Sequence, residues 1–170
     1  MVRKTKIKSF LLIVCCFISS CDKKINFTMD DIVGKWMYEK GGPYNDYDLV
    51  SYLSISATVS KNMQRELKEI VSKHSDHKII GVDCNITFKK SGDYLINFRY
   101  FNKSFSSTGG WKTIYNMDKD KTIVLYSNDE IVSKGSVISK IPSFPSEIFF
   151  EEIKKFAIYS FDSRIVFKKI

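Results

Sequence analysis

The chain is poor in the residues from which most catalytic and metal sites are built, with two histidines, three prolines and eight glycines among its 170 residues. It carries no His-Glu-x-x-His, Gly-x-Ser-x-Gly, Cys-x-x-Cys or Gly-x-Gly-x-x-Gly. The usual sequence signatures of zinc hydrolases, serine hydrolases, dithiol enzymes and dinucleotide binders are therefore missing, and the chain reads as a non-enzyme with no cofactor. Long apolar runs are missing too. The longest, Phe10 to Ile18, falls well short of the ~20 residues that a membrane-spanning helix needs. Cysteine is scarcer than its count of four suggests, because Cys15, Cys16 and Cys21 all lie in the first twenty-one residues and leave Cys84 alone in the body of the chain. No intramolecular disulfide can then staple the fold, so its stability must come from a core.

What is present begins with those first residues. Arg3, Lys4, Lys6 and Lys8 form a positive segment, Phe10 to Ile18 an apolar one, and Ser19-Ser20 a small-residue cleavage site before Cys21. The order Ile18-Ser19-Ser20-Cys21 resembles the lipobox of bacterial lipoproteins. That resemblance implies removal of residues 1–20 as a signal peptide and acyl chains, palmitate among them, on Cys21. More than one chain would hold durably, since each buried CH₂ contributes ~0.8 kcal/mol. It also implies a location outside the cytoplasm, in the cell envelope, with the outer membrane favoured over the inner. Without residues 1–20 the formal charge falls from +8 to +4. That balance suits solubility but is no concentrated basic stripe, so no nucleic acid is expected as a partner.

After a tether over residues 21–28, one domain is expected over 29–170, mainly β. Ile32 to Tyr38 reads as a first strand. Glu39 to Asp48, broken by Gly41-Gly42-Pro43, reads as a surface loop carrying Tyr44 and Tyr47, and Leu49 to Ala57 as a strand. Val59, Met63, Leu67, Ile70 and Val71 recur at helical spacing after Ser60, an available N-cap, which predicts an amphipathic helix over about 61–73. Beyond it, Ile86 to Lys89, Ser91-Gly92 and Tyr94 to Tyr100 form a hairpin. Ser104 to Ser107 starts another strand, and Trp111 to Met117, a turn at Asp118 to Asp120, and Thr122 to Tyr126 form a second hairpin. Ile131-Val132 and Ser136 to Ile141 are weaker strands, Pro142 and Pro145 mark a break, residues 146–155 suit a short helix, and Arg164 to Lys168 is a closing strand. Short strands joined by tight turns predict an antiparallel up-and-down β-barrel, with a β-sandwich as competitor.

The lipobox, Gly34-Lys-Trp36, the run Ile86 to Tyr94, Gly110-Trp111 and the terminal Arg164 to Lys169 together resemble the small lipocalin-like lipoproteins of Bacteroidetes-type bacteria. The resemblance implies a barrel of about eight strands whose first-strand tryptophan, Trp36, plugs the closed end beneath Arg164, with Gly34 beside it. A cation–π contact of ~0.5–2 kcal/mol would reward that arrangement. The helix inserted between about 58 and 76 departs from the pattern.

Two clusters invite chemistry. His74 and His77 lie three residues apart and, with Asp76 or Asp83, could begin a divalent metal site. Histidine at a polar helix end is better explained by the helix dipole, and a third ligand would have to be assumed, so no metal is assigned. Tyr94, Phe98, Tyr100, Tyr115 and Tyr126 could line an apolar pocket, although small barrels are usually filled by their own side chains. The leading expectation is a membrane-anchored, non-enzymatic lipoprotein with a small apolar ligand in the barrel. The alternative is a protein-interaction lipoprotein, an inhibitor, immunity or envelope-assembly factor, acting through the 39–48 loop or the inserted helix.

Overall fold

The computed structural model describes residues 26–115, 121–127, 147–160 and 163–170, with the backbone alone at 114, 115, 121, 127, 147–149 and 160. The leader with Cys21, the turn at 118–120 and the expected strands between 131 and 141 lie outside the described residues. The chain enters the fold through a single helical turn, α1 (Met29–Ile32). The Thr28 hydroxyl accepts from the Asp31 N–H while the Asp31 carboxylate accepts from the Thr28 N–H at 2.7 Å. This reciprocal box satisfies donors that a helix start leaves open.

Strand β1 (Gly34–Tyr38) follows, and seven more strands close a barrel of eight with it. These are β2 (Val82–Phe88), β3 (Asp93–Tyr100), β4 (Lys103–Tyr115), β5 (Lys121–Ser127), β6 (Glu147–Glu152), β7 (Lys155–Ser160) and β8 (Ser163–Lys169). Each pairs antiparallel with its sequence neighbour, and β8 returns to β1 through Trp36↔Lys169 and Tyr38↔Phe167. The barrel expectation holds and the sandwich does not. Alternation sets the inner face: Val82, Cys84, Ile86 and Phe88 of β2 are buried, and so are Tyr94, Ile96 and Phe98 of β3. Burial also pushes the Cys84 thiol far above its ordinary range.

Between β1 and β2 the chain makes two helices, where one was expected. α2 (Pro43–Ile55) replaces the predicted loop end and the predicted strand at 49–57. Pro43 sits at its first turn with the fixed φ that favours a helix start, after Gly42 at φ +106°. The alternation of Leu49, Ser51, Leu53 and Ile55 misled because α2 is covered on more than one side. Leu49, Val50, Tyr52, Leu53 and Ser54 are all buried, so no single apolar stripe is written in the sequence. α3 (Lys61–Ser72) has the expected one-sided pattern, burying Met63, Leu67 and Ile70 beneath a Ser60 cap that accepts from the Met63 N–H at 3.2 Å.

Two further expectations are corrected. Of the helix expected over 146–155, the described residues 147–155 hold none: β6 runs to Glu152, residues 153 and 154 make a turn, and β7 begins at Lys155, with Phe150 paired to Phe156. Pairing with β7 and β5 overrides the local helical preference of the glutamates. The pieces expected at 104–107 and from 111 belong, as far as residue 115, to one thirteen-residue strand, β4, continuous through Gly109-Gly110. The Tyr94 hydroxyl and Tyr126 carbonyl crowd Gly109, and the Tyr126 ring lies against Gly110, where a side chain would collide. Glycine here admits neighbours and does not break the strand.

Candidate functional site

One apolar cluster joins the inward faces of the strands to Leu49, Leu53, Met63, Leu67 and Ile70 of the two helices. At the α1 end it is aromatic. Phe156 of β7 lies 4.8 Å from Trp36, 5.1 Å from Phe167 and 6.3 Å from Phe88, ring centre to ring centre. β2 and β7 are separated by β1 and β8 around the barrel, so the Phe88–Phe156 contact crosses the interior. Phe27 is also buried, stacked 4.4 Å from Phe150. At the opposite end the helical hairpin enters the mouth. The Thr58 carbonyl accepts from the Tyr94 hydroxyl, and the Ser107 hydroxyl from the Ser60 N–H at 2.8 Å. Asp46 of α2 is buried, accepting from the Tyr38 hydroxyl at 3.0 Å and from the Val82 N–H at 3.4 Å. Burial first, and then the Asp46 carboxylate, push the Tyr38 phenol far above its ordinary range.

Trp36 does occupy the end of the barrel, fully buried, its indole N–H donating to the Ile32 carbonyl at 2.8 Å. The cation over it is not Arg164. Lys169 holds its Nζ 5.6 Å from the ring centre and donates to the Asp30 and Asp31 carbonyls at 3.0 and 2.7 Å, while its stem passes Gly34. The reason is strand parity. Phe167 points inward against Phe156, so Lys169 shares that side and Arg164 does not. Arg164 makes a two-pronged ion pair with Glu151 on the outer surface, and that pairing raises its pKa.

The five ring residues expected to line a pocket are not one set. Tyr94 and Phe98 are buried inside. Tyr100 is partly buried at the hairpin end, bonded to His74 Nε2 at 2.8 Å. Tyr126 pairs with Gly110 while Trp111 and Leu125 point inward, which puts its ring on the outer face. The side chain of Tyr115 lies outside the described residues. The two histidines also contact different partners. His77 stacks on Tyr47 at 4.8 Å, Asp76 accepts from the Lys78 N–H, and Asp83 is bridged by Lys40 at 2.8 Å and by Arg99. Among the described residues no group of three or more His, Cys, Asp or Glu is placed to hold a metal ion.

The surface at the hairpin end was not foreseen as a unit. Tyr44, Ile80 and Phe101 are 56, 67 and 69% exposed. Phe101 and Asn102 form the two-residue turn between the paired Tyr100 and Lys103, and Phe101 adopts φ +48°. Favoured two-residue hairpin turns place glycine or asparagine at such a position. The signal was available in sequence: an aromatic residue stands where the alternation through Tyr100 must reverse. Nearby, a surface concavity of about 510 Å³ opens on the outer side of β2–β4, among Met37, Asp83, Asn85, Asn97, Arg99 and Ser104. Its amides are bonded to each other, Asn97 to Asn85 at 3.2 Å.

No protein-family model and no curated protein matches this chain. Among solved structures, a Schistosoma mansoni fatty acid binding protein in complex with arachidonic acid is similar at 13% identity over 85% of this chain and 99% of that one, with a TM-score of 0.30. A likeness this slight carries no argument about function. The fold stands on the closed strand order itself: an antiparallel, lipocalin-like barrel of eight strands with short helices.

Proposed function

We propose that this chain is a lipid-anchored, non-catalytic lipoprotein of the bacterial cell envelope, held through acyl chains on Cys21, whose barrel is a solid platform for binding a protein partner. The observation that carries the platform reading is the ring contact between Phe88 and Phe156 across the interior, with the helical hairpin packed into the other end of the same cluster. A carrier of apolar ligands needs an enclosed volume of several hundred Å³. Rings from strands three steps apart that meet through the interior leave little of it at the α1 end.

The tether supports the orientation. Phe27 is buried only six residues after Cys21, and six residues reach at most about 20 Å. An anchor on Cys21 would keep the α1 end near the bilayer and direct the helical hairpin away from it. Two measurements test the proposal. Radiolabelled palmitate should enter the intact protein and not Cys21→Ser. Native mass spectrometry of the mature domain should find it without bound lipid, and lipid recovered at one molecule per barrel would replace the platform with a carrier.

A further inference from the structure

We infer that the α1 end of the barrel is a membrane-contacting face, with the exposed side chains of Met29, Ile153 and Ile170 seated in the interface of a lipid bilayer. The inference deepens the reading above and rests on it for the acyl chains on Cys21. The three side chains are 54, 55 and 72% exposed and come from three stretches that the fold ties together. Lys169 of β8 joins them. Its N–H donates to the Lys154 carbonyl in the turn between β6 and β7 at 3.0 Å, and its Nζ donates to the Asp30 and Asp31 carbonyls of α1 at 3.0 and 2.7 Å. The Ile170 N–H, next along, donates to the Lys35 carbonyl of β1 at 3.0 Å. Met29 and Ile153 each adjoin a residue of this network and Ile170 belongs to it, so all three stand at one end of the molecule.

The chain that enters this end selects what covers it. Exposed apolar side chains need no explanation by themselves, and Tyr44, Ile80 and Phe101 show that the other end carries some too. Only the α1 end is tied to Cys21 by a short span. Phe27, buried against Phe150, fixes the chain to the barrel six residues after Cys21, and six residues reach at most about 20 Å. Acyl chains on Cys21 would keep the bilayer within that distance at all times, whereas any free partner must arrive by diffusion. A short flexible tether holds its two ends at an effective concentration on the order of millimolar, so a contact too weak to keep a free protein on a membrane is enough here. Three apolar side chains on a short perimeter are a contact of that kind.

Charge plays the smaller part. Among the described residues, Lys35, Lys89, Lys90, Lys112, Lys154 and Lys169 stand at this end beside Asp30, Asp31, Asp93 and Glu152. Lys90 is paired with Asp30 at 3.2 Å, and Asp31 closes its own helix cap. Signs this mixed leave apolar contact as the main attraction. They are also compatible with it, because lysine heads stay in water at headgroup depth while neighbouring apolar side chains reach about 5–10 Å into the boundary with the acyl chains.

The experiment uses the intact chain in its own membrane, with p-benzoylphenylalanine replacing Met29, Ile153 or, at the hairpin end, Phe101. Irradiation should give phospholipid adducts from positions 29 and 153 at least fivefold more often than from 101. Ile153→Asp, a change at an exposed turn, should lower the lipid adduct from position 29 at least threefold while leaving the melting temperature and palmitate uptake unchanged. Protein adducts in place of lipid at 29 and 153, equal lipid yields from all three positions, or a yield from 29 that Ile153→Asp does not lower would each overturn the inference. Palmitate labelling reads the anchor separately: label without lipid adducts removes the membrane face and leaves the anchor, and lipid adducts without label remove the anchor and leave the face.

Discussion

Replacing Phe156 with alanine is the most direct probe of whether the barrel interior is solid. The ring is fully buried and touches Trp36, Phe167, Phe88 and Phe150, which belong to four other strands. Removing it forfeits the transfer free energy of the ring and leaves a void, because walls fixed by backbone ladders cannot collapse inward. Buried Phe→Ala changes cost about 3–5 kcal/mol when the site cannot relax. Against a typical total of ~5–15 kcal/mol this is a large share, and at ~2–4 °C per kcal/mol it lowers the melting temperature by roughly 6–20 °C. Urea denaturation of the mature domain, with Ile153→Ala as an exposed control expected within ~0.5 kcal/mol, measures it. The vacated space should also admit benzene or xenon, as dry apolar cavities do. If Phe156→Ala costs under about 1.5 kcal/mol, or if the unmutated domain already takes up benzene with similar affinity, the interior is hollow and the platform argument fails.

Other outcomes follow from single sites. Cys84 should resist maleimide in the native state and react only as fast as the domain opens globally, because its thiol is buried and kept protonated. Hydrogen bonds from Lys40 and then Arg99 lower the pKa of Asp83, so its pairing stabilises the fold above the ordinary carboxylate range and is lost as pH falls through the depressed value. Asp83→Asn should therefore reduce the melting temperature slightly at pH 7, with the difference from the unmutated protein closing as pH falls below the ordinary carboxylate range and shrinking in high salt. Gly109→Ala drives a methyl group into the Tyr126 carbonyl and the Tyr94 hydroxyl, and should destabilise the domain by about 1–3 kcal/mol in chemical denaturation. Asp46→Ala strands the buried Tyr38 hydroxyl and should cost about 1–3 kcal/mol, with Tyr38→Phe restoring part of the loss in the double variant.

Where one face of an element meets the core and the other meets water, the sequence was readable. β2, β3 and α3 announce themselves through period two or the helical period, and Ser60 marks its helix start. Legibility failed where burial is two-sided. α2 is packed between α3 and the barrel, so its apolar residues follow no single period and its serines looked like a weak strand. The segment at 147–152 became a strand because it pairs with β5, which ends at Ser127, and with β7 across a turn at 153 and 154 that no glycine or proline marks. At the site, Trp36 was legible by resemblance, but the cation above it was assigned to Arg164 when strand parity puts Lys169 there. Asp46 was lost in a stretch that looked like solvated loop, since only tertiary structure brings Tyr38 and Val82 to it. Phe101 was assigned to no element, falling between the strand that ends at Tyr100 and the one expected from Ser104.

The last ladder of the barrel carries a consequence for how this chain is made. Trp36 pairs with Lys169, and the Ile170 N–H reaches the Lys35 carbonyl at 3.0 Å, so the earliest strand finds its second neighbour only in the final residues. Synthesis and any export proceed from the amino end, and β1 therefore waits with one unpaired edge until residues 167–169 have emerged. Such long-range closure slows folding and leaves open edges that invite pairing with other chains. Deleting residues 167–170 would make that waiting state permanent, turning a sealed barrel into a sheet with two free margins.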